Sequence, residues 1–189
     1  MKLALQAVTT HKNQNQLLLE ALLLDFWKGK VEPDTARRIL GYWGEFNSPD
    51  NDVQKLFKSF DCDNDNLVVV KDIDYHSMCE HHLLPFYGKV HIGYIPNGKV
   101  LGLSKFGRIV THYAKTPQIQ ERLTQQIGKS IMDNLSPLGV IVVADGVHTC
   151  MMARGILKQN STTKTSFISG VFKTDMSARK EALGLILNN

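Results

Sequence analysis

The sequence predicts an α+β fold, with helices packed on one face of an antiparallel sheet and a helical N-terminal region before it. In the first third of the chain apolar residues recur at helical spacing, whereas from Leu67 onward β-branched residues alternate with other residues. Strand patterns then occur in adjacent pairs, each followed by helix, which favours antiparallel pairing over a doubly wound parallel sheet. We therefore expect a helical region at residues 1–65 and a single functional unit at residues 66–189.

Three helices are predicted in the N-terminal region. The first spans residues 13–28 and carries a broad apolar face rich in leucine. The second begins near Pro33 or Asp34, which are residues that favour a helix start. A third is expected from Ser48, because apolar residues follow it at helical spacing as far as Phe60.

In the second region, β-branched runs bounded by turn residues predict four strands, and apolar residues at helical spacing predict three helices. The strands are expected at residues 67–75, 90–95, 140–149 and 163–172, and the helices at residues 104–115, 117–135 and 175–187. The first two strands flank a short segment that is rich in cysteine and histidine.

Composition and charge exclude several classes of protein. The chain has 189 residues, 43% hydrophobic and 21% charged, as in ordinary soluble globular proteins, and its net charge of +4 does not demand nucleic acid. The leucine-rich run at residues 17–27 is broken by Glu20 and Asp25 and is too short to span a membrane. Three cysteines are too few for a disulfide framework. We therefore expect a cytoplasmic protein with no nucleic-acid or membrane partner.

A possible metal site begins in the segment between the first two strands. Cys79 and His82 are three residues apart, so a single turn can bring a thiolate and an imidazole to one side. Cys150 is a third candidate, and strand alternation would place His148 on the same face beside it. Three protein ligands leave a fourth position open, as in catalytic zinc sites. Buried free cysteines also serve as small hydrophobic residues, so the spacing alone leaves both interpretations open.

A second candidate metal site, a calcium loop, is less well supported. Residues 61–66 offer oxygen ligands at alternate positions, but the sixth position is Asn66 instead of glycine and the twelfth is Asp72 instead of glutamate. We favour an acidic turn before a strand, and no chemistry is assigned to Cys62.

Residues for anion binding are expected at the start of one helix, and residues for base recognition near the start of the next. Ser104 is a predicted N-cap, and Lys105 and Arg108 lie on one side of the same helix, which suits a phosphate group. The alternative is a solvated helix start, and Arg154 adds positive charge after Cys150. Gln120 and Glu121 lie off the apolar stripe of the next helix, where a carboxylate could accept two hydrogen bonds from guanine or simply be solvated.

The sequence resembles the GTP cyclohydrolase I family in several segments that keep the family's order and spacing between about Val70 and Phe172. These segments are Ser77-Met78-Cys79-Glu80-His81-His82, the run from Gly88 to Pro96, Gly102-Leu103-Ser104-Lys105, Gln120-Glu121-Arg122-Leu123-Thr124, and His148-Thr149-Cys150 with Arg154-Gly155.

The resemblance implies a role for each candidate residue. It implies zinc ligands at Cys79, His82 and Cys150, and proton transfer by His81 and His148. It also implies triphosphate contacts from Ser104, Lys105, Arg108 and Arg154, and guanine contacts from Gln120 and Glu121.

The resemblance further implies a fold, an assembly and a reaction. The fold is the tunnelling fold, in which small antiparallel sheets from several subunits join into a barrel, and the assembly is a homodecamer with active sites at subunit boundaries. The reaction is zinc-dependent opening of the GTP imidazole ring, with release of formate and formation of 7,8-dihydroneopterin triphosphate. This would be the first step of tetrahydrofolate and pterin biosynthesis.

Two other functions are possible for a sequence with these residues. One is a related tunnelling-fold enzyme of deazaguanine metabolism, which reduces a nitrile with a cysteine nucleophile and without catalytic zinc. The other is a non-catalytic module that zinc stabilises, which would unfold when the metal is removed.

Overall fold

The computed structural model describes residues 11–46 and 52–188, and for residues 11–13 the backbone alone. The chain divides into two compact units, residues 1–47 and 48–189. The predicted division at residues 65 and 66 concerns functional units and stays a prediction.

The helices are α1 (His11–Phe26), α2 (Thr35–Gly44), α3 (Leu103–Ala114), α4 (Gln120–Leu135), α5 (Thr149–Met152), α6 (Val171–Thr174) and α7 (Met176–Leu187). The strands are β1 (Ser59–Asp61), β2 (Val68–Cys79), β3 (Pro85–Ile95), β4 (Lys99–Leu101), β5 (Pro117–Gln118), β6 (Gly139–His148) and β7 (Thr163–Gly170).

The N-terminal unit contains α1 and α2, and both predicted helices are confirmed. Leu23 and Ala36 are buried, whereas the predicted apolar face of α1 is largely exposed, with Leu18 at 70% and Phe26 at 71%. Two helices cannot enclose an apolar face this broad by themselves. None of the described helices has the length and apolar character needed to cross a bilayer.

The prediction of a third helix is wrong in the part of its range that the structure describes. Its expected start at Ser48 lies outside the described residues, and beyond it the chain forms a 3₁₀ turn at Val53–Leu56 followed by β1. Strand β1 pairs antiparallel with β4, with Ser59 opposite Leu101. This partner is 42 positions away along the chain, so a local pattern of apolar residues could not indicate the pairing.

The main sheet has five strands in the order β5-β2-β3-β6-β7. Strands β2, β3, β6 and β7 pair antiparallel, and the two-residue β5 adds a short parallel contact to β2. The predicted α+β class with an antiparallel sheet is therefore confirmed. β2 and β3 are longer than predicted and reach to both ends of the cysteine- and histidine-rich segment.

Helices α3 and α4 cover one face of this sheet, as predicted. Phe86, Val90, Ile92 and Tyr94 of β3 are buried there, together with these helix residues: Phe106, Ile109, Val110, Leu123, Ile127 and Ile131. The structure adds a smaller cluster on the other face, where Ile141 and Val143 of β6 pack with Phe172 and α7. The C-terminal helix therefore lies on the opposite face from α3 and α4.

Close packing of α4 on β7 depends on Gly128, because a Cβ atom there would collide with the ring of Phe167. We expect Gly128→Ala to lower the free energy of unfolding by about 1–3 kcal/mol, the usual cost of overpacking. Gly107→Ala on α3 is the matched control, since nothing lies within 4 Å of its Cβ position. It should raise stability by about 0.5–1 kcal/mol. Urea unfolding measures both, and a fully stable Gly128→Ala protein would contradict this packing.

Candidate metal centre

Three metal-ligating side chains meet at one end of the sheet. Cys79 ends β2, His82 follows in the next turn, and Cys150 lies in α5. One donor atom from each lies within 4.8 Å of the others, and Cys79 Sγ is 3.8 Å from His82 Nδ1. Zinc bonds of about 2.0–2.3 Å to nitrogen and sulfur require only slightly shorter separations. The three residues therefore fit a tetrahedral metal ion with one position left open.

The tight turn after β2 positions two of these donors. The carbonyl oxygen of Cys79 accepts hydrogen bonds from the amides of His82 at 3.3 Å and Leu83 at 2.8 Å, and the Cys79 amide donates to Leu84. Leu83 has a φ of 52°, in the left-handed region, and this reverses the chain into β3. The prediction that Cys79 and His82 share one turn is confirmed.

Cys150 reaches the cluster in a way the sequence analysis did not predict. Strand β6 ends at His148, and Cys150 lies in the short helix α5, so strand alternation does not place the two residues on one face. The Thr149 hydroxyl donates to the carbonyl oxygen of Pro85 at 2.6 Å and ties α5 to the start of β3. The strand argument for Cys150 is therefore wrong, although the cysteine does lie beside Cys79.

Sequence reasoning assigned no role to the ion pair behind the turn. The Arg122 guanidinium on α4 pairs with the Glu80 carboxylate, which lies between the two metal-ligating residues of the turn. Arg122 also donates to Gln118 Oε1 at 2.8 Å and to the Pro117 carbonyl oxygen at 3.1 Å. A guanidinium with three acceptors holds the turn against α4. The opposite charges 42 residues apart gave no local signal of this contact.

Burial shifts the pKa of the Cys150 thiol and that of the neighbouring His148. Burial raises the pKa of the Cys150 thiol, and the adjacent Cys79 raises it further. Burial also lowers the pKa of His148, while the Glu121 carboxylate opposes that shift. Two thiols side by side ionise together most readily when a cation neutralises them, so this donor set suits a metal ion.

Five other predicted site residues lie at this end of the sheet, and each is linked either to a cysteine of the cluster or to His148: His81, Gln120, Glu121, His148 and Arg154. His148 stacks on Phe86 and contacts the buried side chain of Gln120. His81 is exposed, and its Nδ1 lies 3.9 Å from Cys79 Sγ. Glu121 is exposed and near enough to affect His148, and exposed Arg154 lowers the pKa of Cys150 against the stronger effect of burial.

The start of α3, which carries Ser104 and Lys105, lies away from this cluster within one chain, and Arg108 lies midway along the same helix. Leu101, just before α3, donates its amide to the hydroxyl of Tyr94, at the end of the sheet where β2 begins, whereas the metal donors follow the other end of β2. The 12 residues of α3 span about 18 Å between these ends. The helix begins at Leu103 without a side-chain cap, so the N-cap prediction for Ser104 is wrong.

Comparisons with known proteins agree on one family. A family model described as GTP cyclohydrolase I matches residues 12–187. GTP cyclohydrolase 1 of Bacillus pumilus is 47% identical over 185 residues, covering 93% of this chain and 98% of that protein. GTP cyclohydrolase 1 of Homo sapiens is 58% identical over 127 residues, covering 67% of this chain and 51% of the human protein. The match therefore spans about half the length of the human relative.

One solved structure was also similar in shape. It is the archaeosine synthase QueF-Like in the apo form, 21% identical, with a TM-score of 0.47. The match covers 55% of this chain and 93% of that chain.

The ligand assignment makes a prediction about metal content. Cys150→Ser removes one of the two thiolates, so we expect the purified protein to lose most of its bound zinc, measured by elemental analysis per chain. Cys62→Ser is the matched control, because Cys62 is also free but lies outside the cluster. It should retain the zinc content of the unsubstituted protein. Equal zinc in both variants would refute Cys150 as a ligand.

Proposed function

The chain belongs to the GTP cyclohydrolase I family, and we propose on that premise that it opens the imidazole ring of GTP by hydrolysis. The products would be formate and 7,8-dihydroneopterin triphosphate, in the first step of pterin and tetrahydrofolate biosynthesis. The observation that carries the proposal is the cluster of Cys79, His82 and Cys150, with donor atoms within 4.8 Å and His81 beside Cys79.

The metal of this proposal is zinc, held by Cys79, His82 and Cys150. Two thiolates and one imidazole are donors that zinc prefers, and three protein ligands are typical of catalytic sites. When bound, zinc would supply Lewis acidity for the hydrolysis. Arg122, through Glu80, would keep the ligand-bearing turn in place.

Two histidines near the cluster, His148 and His81, would move protons. His148 is held by stacking on Phe86 and by a hydrogen bond to Gln120, so its ring keeps a fixed orientation. His81 is exposed beside Cys79, where it can reach a bound substrate. An imidazole can exchange a proton near neutral pH, which suits both steps of a hydrolysis.

Guanine recognition is assigned to Glu121 in the first turn of α4. Its carboxylate is exposed and close enough to affect His148. An ionised carboxylate can accept two parallel hydrogen bonds, from the ring N–H and the exocyclic amine of guanine. The side chain of the adjacent Gln120 is buried.

The triphosphate would be bound by Arg154 from the same chain and by Ser104, Lys105 and Arg108 from a neighbouring subunit. Supporting this, the start of α3 and the metal cluster lie at opposite ends of the sheet. Among the described residues, β7 has a partner strand on one side alone. The two-residue strand β5 pairs only with the end of β2, so most of the outer edge of β2 has no partner strand there. Such open edges suit pairing between copies, and we propose the decameric barrel of the family.

The cytoplasm is the proposed location of the reaction. Cys62, Cys79 and Cys150 are all free, and two of them belong to the candidate metal site. A reducing compartment keeps such thiols available for the metal. Nucleic acid and membranes are not proposed as partners.

The proposed activity is tested by incubating the zinc-loaded protein with GTP. We expect formate and a pterin that fluoresces after oxidation, with equal yield from the Cys62→Ser control and strongly reduced yield from Cys150→Ser. Absence of formate from the zinc-loaded protein would refute the function. Chelation should abolish turnover while the circular dichroism spectrum stays largely unchanged, whereas unfolding on chelation would favour a zinc-stabilised binding module.

A site shared between subunits predicts complementation. Lys105→Ala and Cys150→Ser chains should each be inactive alone, because one lacks a triphosphate contact and the other a metal ligand. In mixed assemblies made by co-expression, random association should restore about a quarter of the activity, since half of the metal centres and half of the α3 partners are intact. Formate release from purified mixed assemblies measures this. No recovery would place the whole site within one chain.

A further inference from the structure

The side chain of Gln120 lies inside the protein, between the start of α4, the end of β6 and the start of β7. It is 1% exposed. Its Nε2 lies 3.0 Å from the carbonyl oxygen of Ala144 and 2.9 Å from that of Thr163, and its Oε1 lies 2.9 Å from Nε2 of His148. Both ends of the amide therefore have hydrogen-bond partners.

These partners determine which end of the amide is nitrogen. The backbone carbonyls of Ala144 and Thr163 can only accept hydrogen bonds, so the atom facing them must be the NH₂ group. The other end is then the carbonyl oxygen, which can only accept. Nε2 of His148 must therefore carry a hydrogen and donate it to Gln120.

The neutral His148 ring consequently has its hydrogen on Nε2 and its lone pair on Nδ1. In the described part of the chain, Nδ1 has no protein hydrogen-bond partner. The ring lies flat on Phe86, with centroids 4.5 Å apart and planes 6° from parallel. Turning the ring would break the stacking or the hydrogen bond, so Nδ1 is the nitrogen available to a substrate.

A second layer of contacts holds Gln120 in this orientation. The Thr124 hydroxyl donates to the backbone carbonyl oxygen of Gln120 at 2.8 Å, so the Thr165 hydroxyl must donate in the 2.6 Å contact between the two threonines. The oxygen of Thr165 can then accept a longer contact of 3.3 Å from Gln120 Nε2, sharing a hydrogen with one of the two backbone carbonyls. Gly146 leaves the space that Gln120 Oε1 occupies, because a Cβ atom there would collide with it.

We propose that Gln120 is a positioning residue that fixes the orientation of the His148 ring as the Nε2–H tautomer and so presents Nδ1 to a bound substrate. This rests on the proposed function, because it concerns the histidine assigned there to proton transfer.

The same contacts argue against guanine binding by the Gln120 side chain. Its NH₂ group is used by two backbone carbonyls and its oxygen by His148. Turning this amide toward a ligand would leave those buried groups without partners, which is unfavourable. The exposed carboxylate of Glu121 remains as the guanine contact.

The tautomer can be measured directly by solid-state NMR on the assembled, zinc-loaded protein labelled with ¹⁵N-histidine. The His148 signals are those lost in His148→Gln. We expect a protonated Nε2 and an unprotonated Nδ1 in the neutral ring. A neutral ring with its hydrogen on Nδ1 would overturn the proposal.

Kinetics separate positioning from guanine recognition. Gln120→Met keeps the length of the side chain but removes its hydrogen bonds, so kcat should fall roughly 10- to 100-fold, the range seen when the hydrogen-bond partner of a metal-ligating histidine is removed. KM for GTP should stay within about threefold, because ground-state binding is unchanged. Glu121→Gln should instead raise KM. A raised KM with unchanged kcat in Gln120→Met would overturn the proposal and favour guanine recognition.

Ser130→Ala is the matched control, since it removes another buried polar group from α4, one whose hydroxyl has no partner within the described residues. It should leave the His148 tautomer and the kinetics unchanged.

If Gln120→Met does not fold, Thr165→Val removes a contact to the Gln120 amide and should lower kcat by less than the roughly 10- to 100-fold expected for Gln120→Met. If the unsubstituted protein releases no formate from GTP, the proposed function fails, and the NMR measurement still decides the tautomer.

Discussion

The register of β3 with its two neighbours determines where the chemistry of this protein lies. Phe86 pairs with Ser77 on β2 and with His148 on β6, so the ends of both strands flank the start of β3. The turn after Cys79 and the helix that carries Cys150 follow directly from those strand ends. Donors separated by 71 positions therefore come within 4.8 Å. A slip of one residue in either pairing would turn the strand's side chains to the other face.

The segment that enters α4 supports both halves of this arrangement. Gln118 accepts a hydrogen bond from Arg122, and Arg122 pairs with Glu80 in the turn that carries Cys79 and His82. Gln120, two residues after Gln118, forms a hydrogen bond with His148. Gln118 and Gln120 are 2% and 1% exposed. Buried amides are costly unless every polar atom finds a partner, and here carbonyls and side chains provide them. The buried polar groups at this end of the sheet therefore fix the site instead of merely filling the core.

Local patterns predicted the parts of the fold that depend on local interactions. Amphipathic spacing located α3 and α4, and the short interval between Cys79 and His82 predicted a shared turn. The same reasoning predicted a helix through residues 53–60, but the end of this stretch belongs to β1. Pairing of β1 with the distant strand β4 overrides the helical spacing there. It also could not decide whether the Gln120 side chain lies in solvent or in a guanine pocket. The hydrogen-bond partners of that side chain are 24, 43 and 28 positions away, at Ala144, Thr163 and His148. Long-range pairing decides these cases, and a single sequence does not reveal it.

The separation of Lys105 from the metal cluster gives assembly a chemical role under the proposed function. One chain holds the metal donors at one end of the sheet and the start of α3 at the other. Because the phosphates of GTP do not react, the cations contribute by orienting the substrate, and a neighbouring chain can do this as well. Pairing of open sheet edges between copies would protect them from nonspecific association and supply those cations. The interfaces that stabilise the assembly would then also complete the site, so dissociation should remove triphosphate binding while the metal ligands, which lie within one chain, stay together.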